Sequence, residues 1–297
     1  MSLLPPIDAH AHIQTGVSAP DVAGLRAFVV AVTRERKEWE SALRRNDPLA
    51  VWGIGVHPGL PAEVTTFDQA AFGEAVERAC FVGEVGLDGK SKADMDAQKR
   101  ALAEVLEVVA AHPRPTTLHS VAASGSVLEA LRAQPISAPI LHWWRGSKKQ
   151  TEEALELGCF FSINGAEVKR PKVLPLLPPE RVLTETDFPY SRRSDPAANQ
   201  PAAVSTTERA LMQAWAMDEL ALRRLLWQNL GELFDRCDLT ERVQAAVQDA
   251  MLTAGLREQQ LIDGACSAPA VAVAGRGRRG TLGDSAPRPE RRASSPK

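Results

Sequence analysis

Five of the six histidines in this chain stand at the downstream ends of short apolar runs. They are His10, His12, His57, His119 and His142. Scattered structural histidines would have no reason to share this position, and imidazole is a common ligand of divalent metals. The placement therefore predicts a metal site. The sixth histidine, His112, stands near a predicted helix end and is expected at the surface.

The first apolar run carries three polar side chains at alternating positions, Asp8, His10 and His12. Alternating residues of a strand point to the same face, so the two imidazoles could chelate one ion. The intervening alanines point the other way and leave room behind the histidines. Two histidines in this spacing are a weak signal by themselves, but a preceding aspartate on a first strand strengthens it.

Two carboxylates complete the candidate ligand set, Glu84 in the fourth run and Asp187 in the last. Glu84 shares a strand face with Gly86 and Asp88, and its two oxygens could bridge metal ions ~3.5–4 Å apart. A glutamate that points inward from a central strand needs a cation. Asp187 could bind the first ion and accept the proton of an attacking water. Glu185 is expected either to orient a histidine or to form a structural ion pair.

The donor set consists of four imidazoles and two carboxylates, without thiolates. It predicts two divalent ions and favours Zn²⁺, Mn²⁺ or Fe²⁺, because a site for Mg²⁺ alone would hold mainly oxygen ligands. Mg²⁺ is kept beside Zn²⁺ and Mn²⁺ among the ions to be tested. A hydroxide bridging two such ions would attack the substrate, and the ions would stabilise both the entering and the leaving oxygen.

Eight short apolar or β-branched runs alternate with amphipathic stretches, which predicts a parallel sheet covered by helices. The predicted strands are residues 6–13, 27–33, 50–57, 80–87, 116–119, 139–143, 159–163 and 182–187. Eight such units favour a (β/α)₈ TIM barrel of the α/β class, in which the downstream strand ends form the active-site rim. The predicted helices include residues 94–111, 147–157, 208–234 and 240–256.

Composition narrows the setting of the protein. The chain has 297 residues, 44% of them hydrophobic, and a formal net charge of −2. No apolar run approaches the ~20 residues of a membrane span, and the first residues lack the features of a secretory signal. The four cysteines are single rather than paired, so a reducing, cytoplasmic location is expected.

The charge is distributed unevenly along the chain. Residues 275–297 carry seven basic and two acidic side chains, whereas residues 1–274 carry 28 basic and 35 acidic ones. A body with a charge of −7 is not typical of a general polyanion binder. We therefore predict a barrel domain with a C-terminal helix over residues 1–263 and a basic, disordered tail over 264–297.

Cations cluster after the even-numbered strands, on the rim that carries the histidines. They are Arg34, Arg36, Lys37, Lys90, Lys92, Arg145, Lys148, Lys149, Arg192 and Arg193. This positive rim favours an anionic substrate, above all a phosphate. Strand alternation from His142 places Trp144 on the cavity face as the candidate for stacking on a base, and leaves Trp143 for packing.

Taken together, these motifs resemble the TatD family of metal-dependent deoxyribonucleases. The resemblance covers residues 5–235 and is carried by the segments 8–12, 55–58, 83–88, 119–120, 142–147 and 186–190. It implies a TIM-barrel amidohydrolase-type fold and metal-dependent hydrolysis of DNA. It also implies that His10, His12, Glu84 and Asp187 hold one ion, and that Glu84, His119 and His142 hold the other.

The leading hypothesis is a phosphodiester hydrolase in which Asp187 is the general base and His57 contacts the substrate phosphate. Family members commonly have arginine where this chain has Val121, and Arg145 could supply that charge. One alternative is a metal-dependent amide or ester hydrolase, acting for instance on acylated tRNA, because one barrel hosts many chemistries. Another is a non-catalytic subunit of a defence complex.

Three segments, residues 81–89, 140–143 and 182–187, are similar to the TatD-type component of the Qat anti-phage defence systems. This narrower resemblance implies an antiviral role and partner proteins encoded in the same operon.

Overall fold

The computed structural model describes residues 4–169 and 174–266, and of residues 256–266 it describes only the backbone. All eight predicted strands are confirmed. They are β1 (Ile7–Ala11), β2 (Phe28–Val32), β3 (Ala50–Ile54), β4 (Phe81–Gly86), β5 (Thr116–His119), β6 (Pro139–His142), β7 (Phe160–Ile163) and β8 (Val182–Thr184).

The strands form one parallel sheet in which each strand pairs with the next in sequence. The segment after β8 returns to β1, where the Asp187 amide donates to the His10 carbonyl at 2.8 Å. The His12 amide in turn donates to the Phe188 carbonyl at 2.8 Å. These bonds bring the last strand against the first, so the sheet is a nearly closed barrel, as predicted.

Helices follow most of the strands. The helices of the described residues are α1 (Ala19–Gly24), α2 (Arg36–Leu43), α3 (Pro61–Thr65), α4 (Gln69–Arg78), α5 (Met95–Ala111), α6 (Ser124–Ala133), α7 (Lys148–Glu156), α8 (Ser205–Trp215), α9 (Glu219–Asp235) and α10 (Ala245–Cys266). Between β7 and β8 the described residues form only two short 3₁₀ turns, Leu174–Leu176 and Pro179–Arg181.

Local sequence explains where α5 and α7 begin. The Asp94 carboxylate accepts from the Ala97 amide at 2.9 Å, and Ser147 forms a reciprocal capping box with Gln150. Such caps satisfy amides that have no partner inside the helix. Both helices match their predicted extents to within one residue.

The prediction of one helix over residues 208–234 is wrong, because two helices occupy this region. Helix α8 ends at Trp215, and its C-cap residue Ala216 is left-handed, with a φ of 51° and a ψ of 41°. Asp218 then caps α9 by accepting from the Ala221 amide. The helix predicted over 240–256 also differs, since a 3₁₀ turn (Thr240–Arg242) precedes α10.

Of the residues that the structure describes, those up to Gln259 belong to one compact unit, and the remaining backbone of α10 is assigned to a second. The predicted basic tail lies outside the described residues beyond Cys266. Among the described helices, none is long and apolar enough to cross a membrane. Cys80, Cys159 and Cys237 are free thiols.

Candidate metal centre and active site

The strand ends surround a cavity of about 420 Å³, and Glu84 stands at its centre. Five imidazoles surround this carboxylate. Their nearest nitrogens lie 3.6 Å (His10), 3.2 Å (His12), 3.4 Å (His57), 2.5 Å (His119) and 2.8 Å (His142) from a Glu84 oxygen. The structure thus brings all six predicted metal ligands together, with His57 beside them.

One group of ligand atoms faces the β1 and β8 side of the cavity. His12 Nε2 lies 3.2 Å from Glu84 Oε2 and 3.5 Å from Asp187 Oδ1. His10 Nε2 lies 3.6 Å and 3.9 Å from the same two oxygens. Because His10, His12 and Asp187 offer atoms within 4.8 Å of one another, they could hold one ion together with Glu84.

The other oxygen of Glu84 faces the β5 and β6 side. His119 Nδ1 lies 2.5 Å from Glu84 Oε1, His142 Nε2 lies 2.8 Å from it, and the two nitrogens are 3.2 Å apart. Glu84 therefore presents one oxygen to each group of imidazoles, which is the arrangement that a bridging carboxylate requires.

His57 is closer to the metal ligands than its expected role as a phosphate contact requires. Its Nε2 lies 3.4 Å from Glu84 Oε2, and His57, Glu84 and His119 form a further group that could hold an ion. The Gly59 amide donates to His57 Nδ1 at 2.8 Å, which leaves Nε2 for the cavity. His57 also lines the cavity, so its geometry fits either a phosphate contact or a ligand.

Polar groups lie behind three of the imidazoles, two of them buried (Thr117 and Glu185) and one partly exposed (Asp88). Thr117 Oγ1 lies 2.9 Å from His10 Nδ1, and Asp88 Oδ2 lies 3.5 Å from His119 Nε2. Glu185 Oε2 lies 3.8 Å from His142 Nδ1. Partners of this kind fix the orientation of a ligating imidazole.

The Glu185 carboxylate, which is too far from His142 Nδ1 for a hydrogen bond, accepts hydrogen bonds from three other groups. It accepts from the Trp143 amide and Asn164 Nδ2, each at 3.1 Å, and from Ser162 Oγ. Of the two roles open from the sequence, the geometry favours an orienting one toward His142.

Asp8 does not line the cavity, although strand alternation places it on the face of His10. Its buried carboxylate accepts from the Thr186 amide at 2.8 Å, from Thr186 Oγ1 at 2.6 Å and from the Ala202 amide at 2.8 Å. Burial raises the pKa of Asp8 to about 6, and these donors oppose the rise. Asp8 therefore fastens the chain after β8 to β1.

The electrostatics of the centre couple Glu84 to its histidines. Burial opposes the negative charge, but the imidazoles around it hold the pKa of Glu84 well below its ordinary value. Burial also opposes the protonation of His12, yet hydrogen bonds to Asp187 and Glu84 raise its pKa to about 8. In the same way, the charge of Glu84 outweighs burial and raises the pKa values of His119 and His142.

The pKa values of two other histidines shift in the opposite direction. Burial, together with the neighbouring His142, lowers the pKa of His10 well below its ordinary value, and burial lowers that of His57 to about 4. His10 Nε2 is buried and has no hydrogen-bond partner among the described residues, although it faces two carboxylates. A buried, neutral imidazole nitrogen in this position fits a divalent metal ion.

Close backbone contact places Glu84 at the centre. A Cβ atom on Gly55, just after β3, would lie 2.3 Å from the Glu84 amide nitrogen. A Cβ on Gly86, where φ is +136°, would lie 2.1 Å from the His119 carbonyl oxygen. Only glycine permits these approaches, so both glycines help to set the position of the ligands.

The prediction that Trp144 faces the substrate is wrong. Trp144 is fully buried, and its indole donates to Thr151 Oγ1 at 2.9 Å. Trp143 lines the cavity instead. Its φ of +40° ends the strand geometry at β6, so the alternation used to choose between the two tryptophans no longer holds.

The positive rim contributes two cations to the cavity wall, Arg34 and Arg145. The guanidinium of Arg145 lies over the Trp143 ring at 4.7 Å from its centroid. Three of the other rim cations pair with nearby carboxylates, Arg36 with Asp68, Lys37 with Glu35 and Lys148 with Glu152. Arg145 therefore lies where the sequence predicts a substrate contact.

Comparison with known proteins decides the family. The family model described as TatD related DNase matches residues 7–235, more than three quarters of the chain. The chain belongs to the TatD family. It is accordingly a metal-dependent hydrolase, as predicted.

The chain is 27% identical over 237 residues to a Mycobacterium tuberculosis protein named uncharacterized metal-dependent hydrolase TatD, covering 70% of this chain and 89% of that protein. It is 30% identical over 212 residues to a Klebsiella pneumoniae protein named 3'-5' ssDNA/RNA exonuclease TatD, covering 61% and 78%. The crystal structure of a TatD homologue from Escherichia coli superposes with a TM-score of 0.68 at 20% identity, covering 79% of this chain and 99% of that one. This structural similarity supports the barrel fold of the chain.

Several residues around this TatD-family site escape prediction from the sequence. Thr117, beside His10, has no signal of its own, because buried threonines are common in strands. Tyr190 and Trp143 line the cavity, yet they stand in a turn and at a strand end where alternation fails. Their place inside the motifs at 142–147 and 186–190 is the one signal that could have identified these two aromatic residues.

Proposed function

We propose that this TatD-family hydrolase cleaves phosphodiester bonds in DNA. The observation that carries the proposal is the position of Glu84, whose two oxygens face separate groups of imidazoles at the base of a cavity with arginines in its wall. Two groups of ligand atoms suit two divalent ions, and the arginines suit an anionic substrate.

The chain's own residues have distinct parts in this proposal. His10, His12, Glu84 and Asp187 would hold one ion, and Glu84, His119 and His142 the other. When bound, such a pair supplies Lewis-acid polarisation of the phosphoryl oxygens and a water that loses its proton near neutral pH. Asp187 Oδ1, at the edge of the cavity, is the acceptor for that proton.

The cavity wall orients the substrate. Arg34, after β2, and Arg145, after β6, provide positive charge in the cavity wall, and His57 also lines the cavity. Trp143 offers an aromatic ring for a nucleobase, and stacking of this kind requires an unpaired base. We therefore propose a single-stranded end as the preferred substrate, a preference that the name of the Klebsiella pneumoniae relative supports.

The test is hydrolysis of end-labelled single- and double-stranded DNA by metal-replete protein with Mg²⁺, Mn²⁺ or Zn²⁺. Wild type should release nucleotides, and Glu84→Gln and Asp187→Asn should each lose at least about 100-fold in rate. Gln244→Ala serves as the control and should retain full activity, because Gln244 stands before α10 and does not line the cavity. Absence of nucleotide release by wild type with all three ions would refute the proposal.

The wider setting follows from the sequence motifs alone. We propose that the chain acts in the cytoplasm as the TatD-type component of a Qat-like anti-phage defence system, together with proteins encoded beside it. Co-purification of the tagged chain with the products of neighbouring genes tests this assignment. Recovery of the chain without them during phage infection would contradict it.

A further inference from the structure

We call the cavity around Glu84 the metal cavity. A second cavity, of about 620 Å³, adjoins it on the side of β1 and β8. The two cavities share three lining residues, His12, Arg34 and Tyr190. The second is lined mainly by apolar side chains. These are Ile13, Val17, Val32, Phe188, Pro189 and Pro201. We call it the β1–β8 pocket.

Arg34 and Tyr190 form the partition between the two cavities. The Arg34 guanidinium donates a hydrogen bond to Tyr190 Oη, and its Cζ lies 5.5 Å from the centroid of the Tyr190 ring. The Tyr190 ring meets the ring of His12 edge-on, with 4.9 Å between their centroids. The partition therefore combines a positive charge and an aromatic ring, directly beside a predicted metal ligand.

The chemistry of the pocket differs from that of its partition. Glu38 lines the pocket and accepts from the Arg34 amide at 2.8 Å, so the interior pairs apolar surface with a negative charge. A phosphate would be repelled there, whereas a flat, uncharged ring would bury apolar surface. The positive charge at the partition suits a phosphate that lies between the two cavities.

We propose that the β1–β8 pocket is a second base subsite. One of the two nucleosides joined by the scissile phosphodiester places its base in this pocket, and Arg34 contacts the phosphate between them. The other nucleoside lies in the metal cavity beside Trp143. This inference rests on the proposed nuclease function and extends it to a substrate that spans both cavities.

Glycines allow the pocket to be filled without disturbing its walls. Gly16 is exposed and lines the pocket, and a Cβ atom there would meet no other atom within 4 Å. Gly16→Trp therefore adds a bulky ring at the pocket lining without a clash at its Cβ atom. Gly24→Trp is the matched control, because Gly24 has the same free space and lines neither cavity. Gln14→Trp, at another exposed position in the pocket, is a second filling variant.

The probes are thymidylyl-thymidine and its two analogues in which one base or the other is replaced by hydrogen. Binding is measured by saturation-transfer NMR in EDTA, so that no hydrolysis occurs, and KM and kcat are measured with metal. Thermal unfolding checks that each variant folds as well as Gly24→Trp.

We expect Gly16→Trp and Gln14→Trp to weaken binding of the intact dinucleotide by about tenfold, the size of one base-stacking contact. KM should rise in parallel while kcat changes little. The effect should disappear for only one of the two analogues, the one that lacks the base held in the pocket. Gly24→Trp should bind all three probes like wild type.

Equal losses for all three probes, no loss for any, or no binding of the dinucleotide by wild type would each overturn the inference. Failure of the proposed function has a different signature, because the wild-type protein would then bind the probes without hydrolysing any of them in the presence of metal.

Discussion

Glu84 is a buried carboxylate whose charge is balanced by protons on the surrounding histidines when no metal is bound. The charge of Glu84 contributes to the raised pKa values of His12, His119 and His142, and a hydrogen bond to Asp187 adds to that of His12. A divalent ion would have to displace these protons, since only the neutral imidazole is a ligand. Metal affinity should therefore increase with pH through about 8, where His12 loses its proton, and should continue to increase until His142 is also deprotonated.

The same shifts predict how the stability of the metal-free protein depends on pH. A histidine whose pKa is higher in the folded state stabilises the fold below pH 6.5, its unfolded value, and this stabilisation is lost as pH rises through the folded value. For His12 that window is pH 6.5 to about 8, and the loss is about 2 kcal/mol. Denaturant unfolding of EDTA-treated protein measures it. Constant or increasing stability over this window would contradict the assignment.

A substitution of Glu185 tests whether this single carboxylate orients His142 for metal binding. Glu185→Gln removes the negative charge 3.8 Å from His142 Nδ1 and should weaken metal binding by about 10–100-fold. Glu208→Gln is the matched control, because Glu208 is also buried and ion-paired, with Arg223, but does not line the metal cavity. Isothermal titration with Zn²⁺ or Mn²⁺ compares them. Equal affinity in Glu185→Gln and wild type would leave Glu185 a purely structural role.

Residue types, together with the alternation of side chains along a strand, predicted the site wherever the strands are regular. His10, His12 and Glu84 lie at strand positions where alternation holds, so their common face could be read from spacing. Trp143 has a positive φ, and the choice of Trp144 failed there because alternation applies only to extended backbone. The partition formed by Arg34 and Tyr190 joins residues 156 positions apart, a contact that no local pattern encodes.

At the scale of elements, the contact between β3 and β4 sets the position of Glu84. Gly55→Ala would bring a methyl group within 2.3 Å of the Glu84 amide nitrogen, so β4 must move. We expect a loss of about 1–3 kcal/mol in stability and at least about tenfold weaker metal binding. Gly73→Ala in α4 is the control, because its new methyl group meets no atom closer than 4.0 Å and alanine favours helix. Unchanged metal affinity in Gly55→Ala would contradict this role.

The break between α8 and α9, which the sequence analysis did not predict, can be tested by substitution. Periodicity runs through both helices, and only the left-handed Ala216 and the cap at Asp218 separate them. Ala216→Gly should stabilise the protein by about 1 kcal/mol, because glycine adopts this conformation without strain. Ala210→Gly, inside α8, should destabilise it by a similar amount. Denaturant unfolding compares the two, and a destabilised Ala216→Gly would refute the assignment of this break.

For the whole molecule, the barrel was predictable because its eight buried strands are near-continuous apolar runs at regular intervals. The order of the strands then follows the order of the sequence, so the downstream ends and their histidines meet without further information. Charge was less informative about the substrate. The negative body is not typical of a polyanion binder, whereas the positive rim favours an anionic substrate. The structure narrows the rim to Arg34 and Arg145 in the cavity wall, which is consistent with recognition of a few phosphates rather than a long polyanion.

The central claim is that hydrolysis depends on metal ions held around Glu84. The most direct test is to add Mn²⁺ or Zn²⁺ stepwise to metal-free protein and to measure bound ions per chain and DNA hydrolysis on the same samples. We predict that hydrolysis reaches its maximum as the bound metal approaches two ions per chain, and that Glu84→Gln shows neither full occupancy nor activity. Full activity in EDTA, or fewer than about one ion bound by the wild-type chain, would contradict the account.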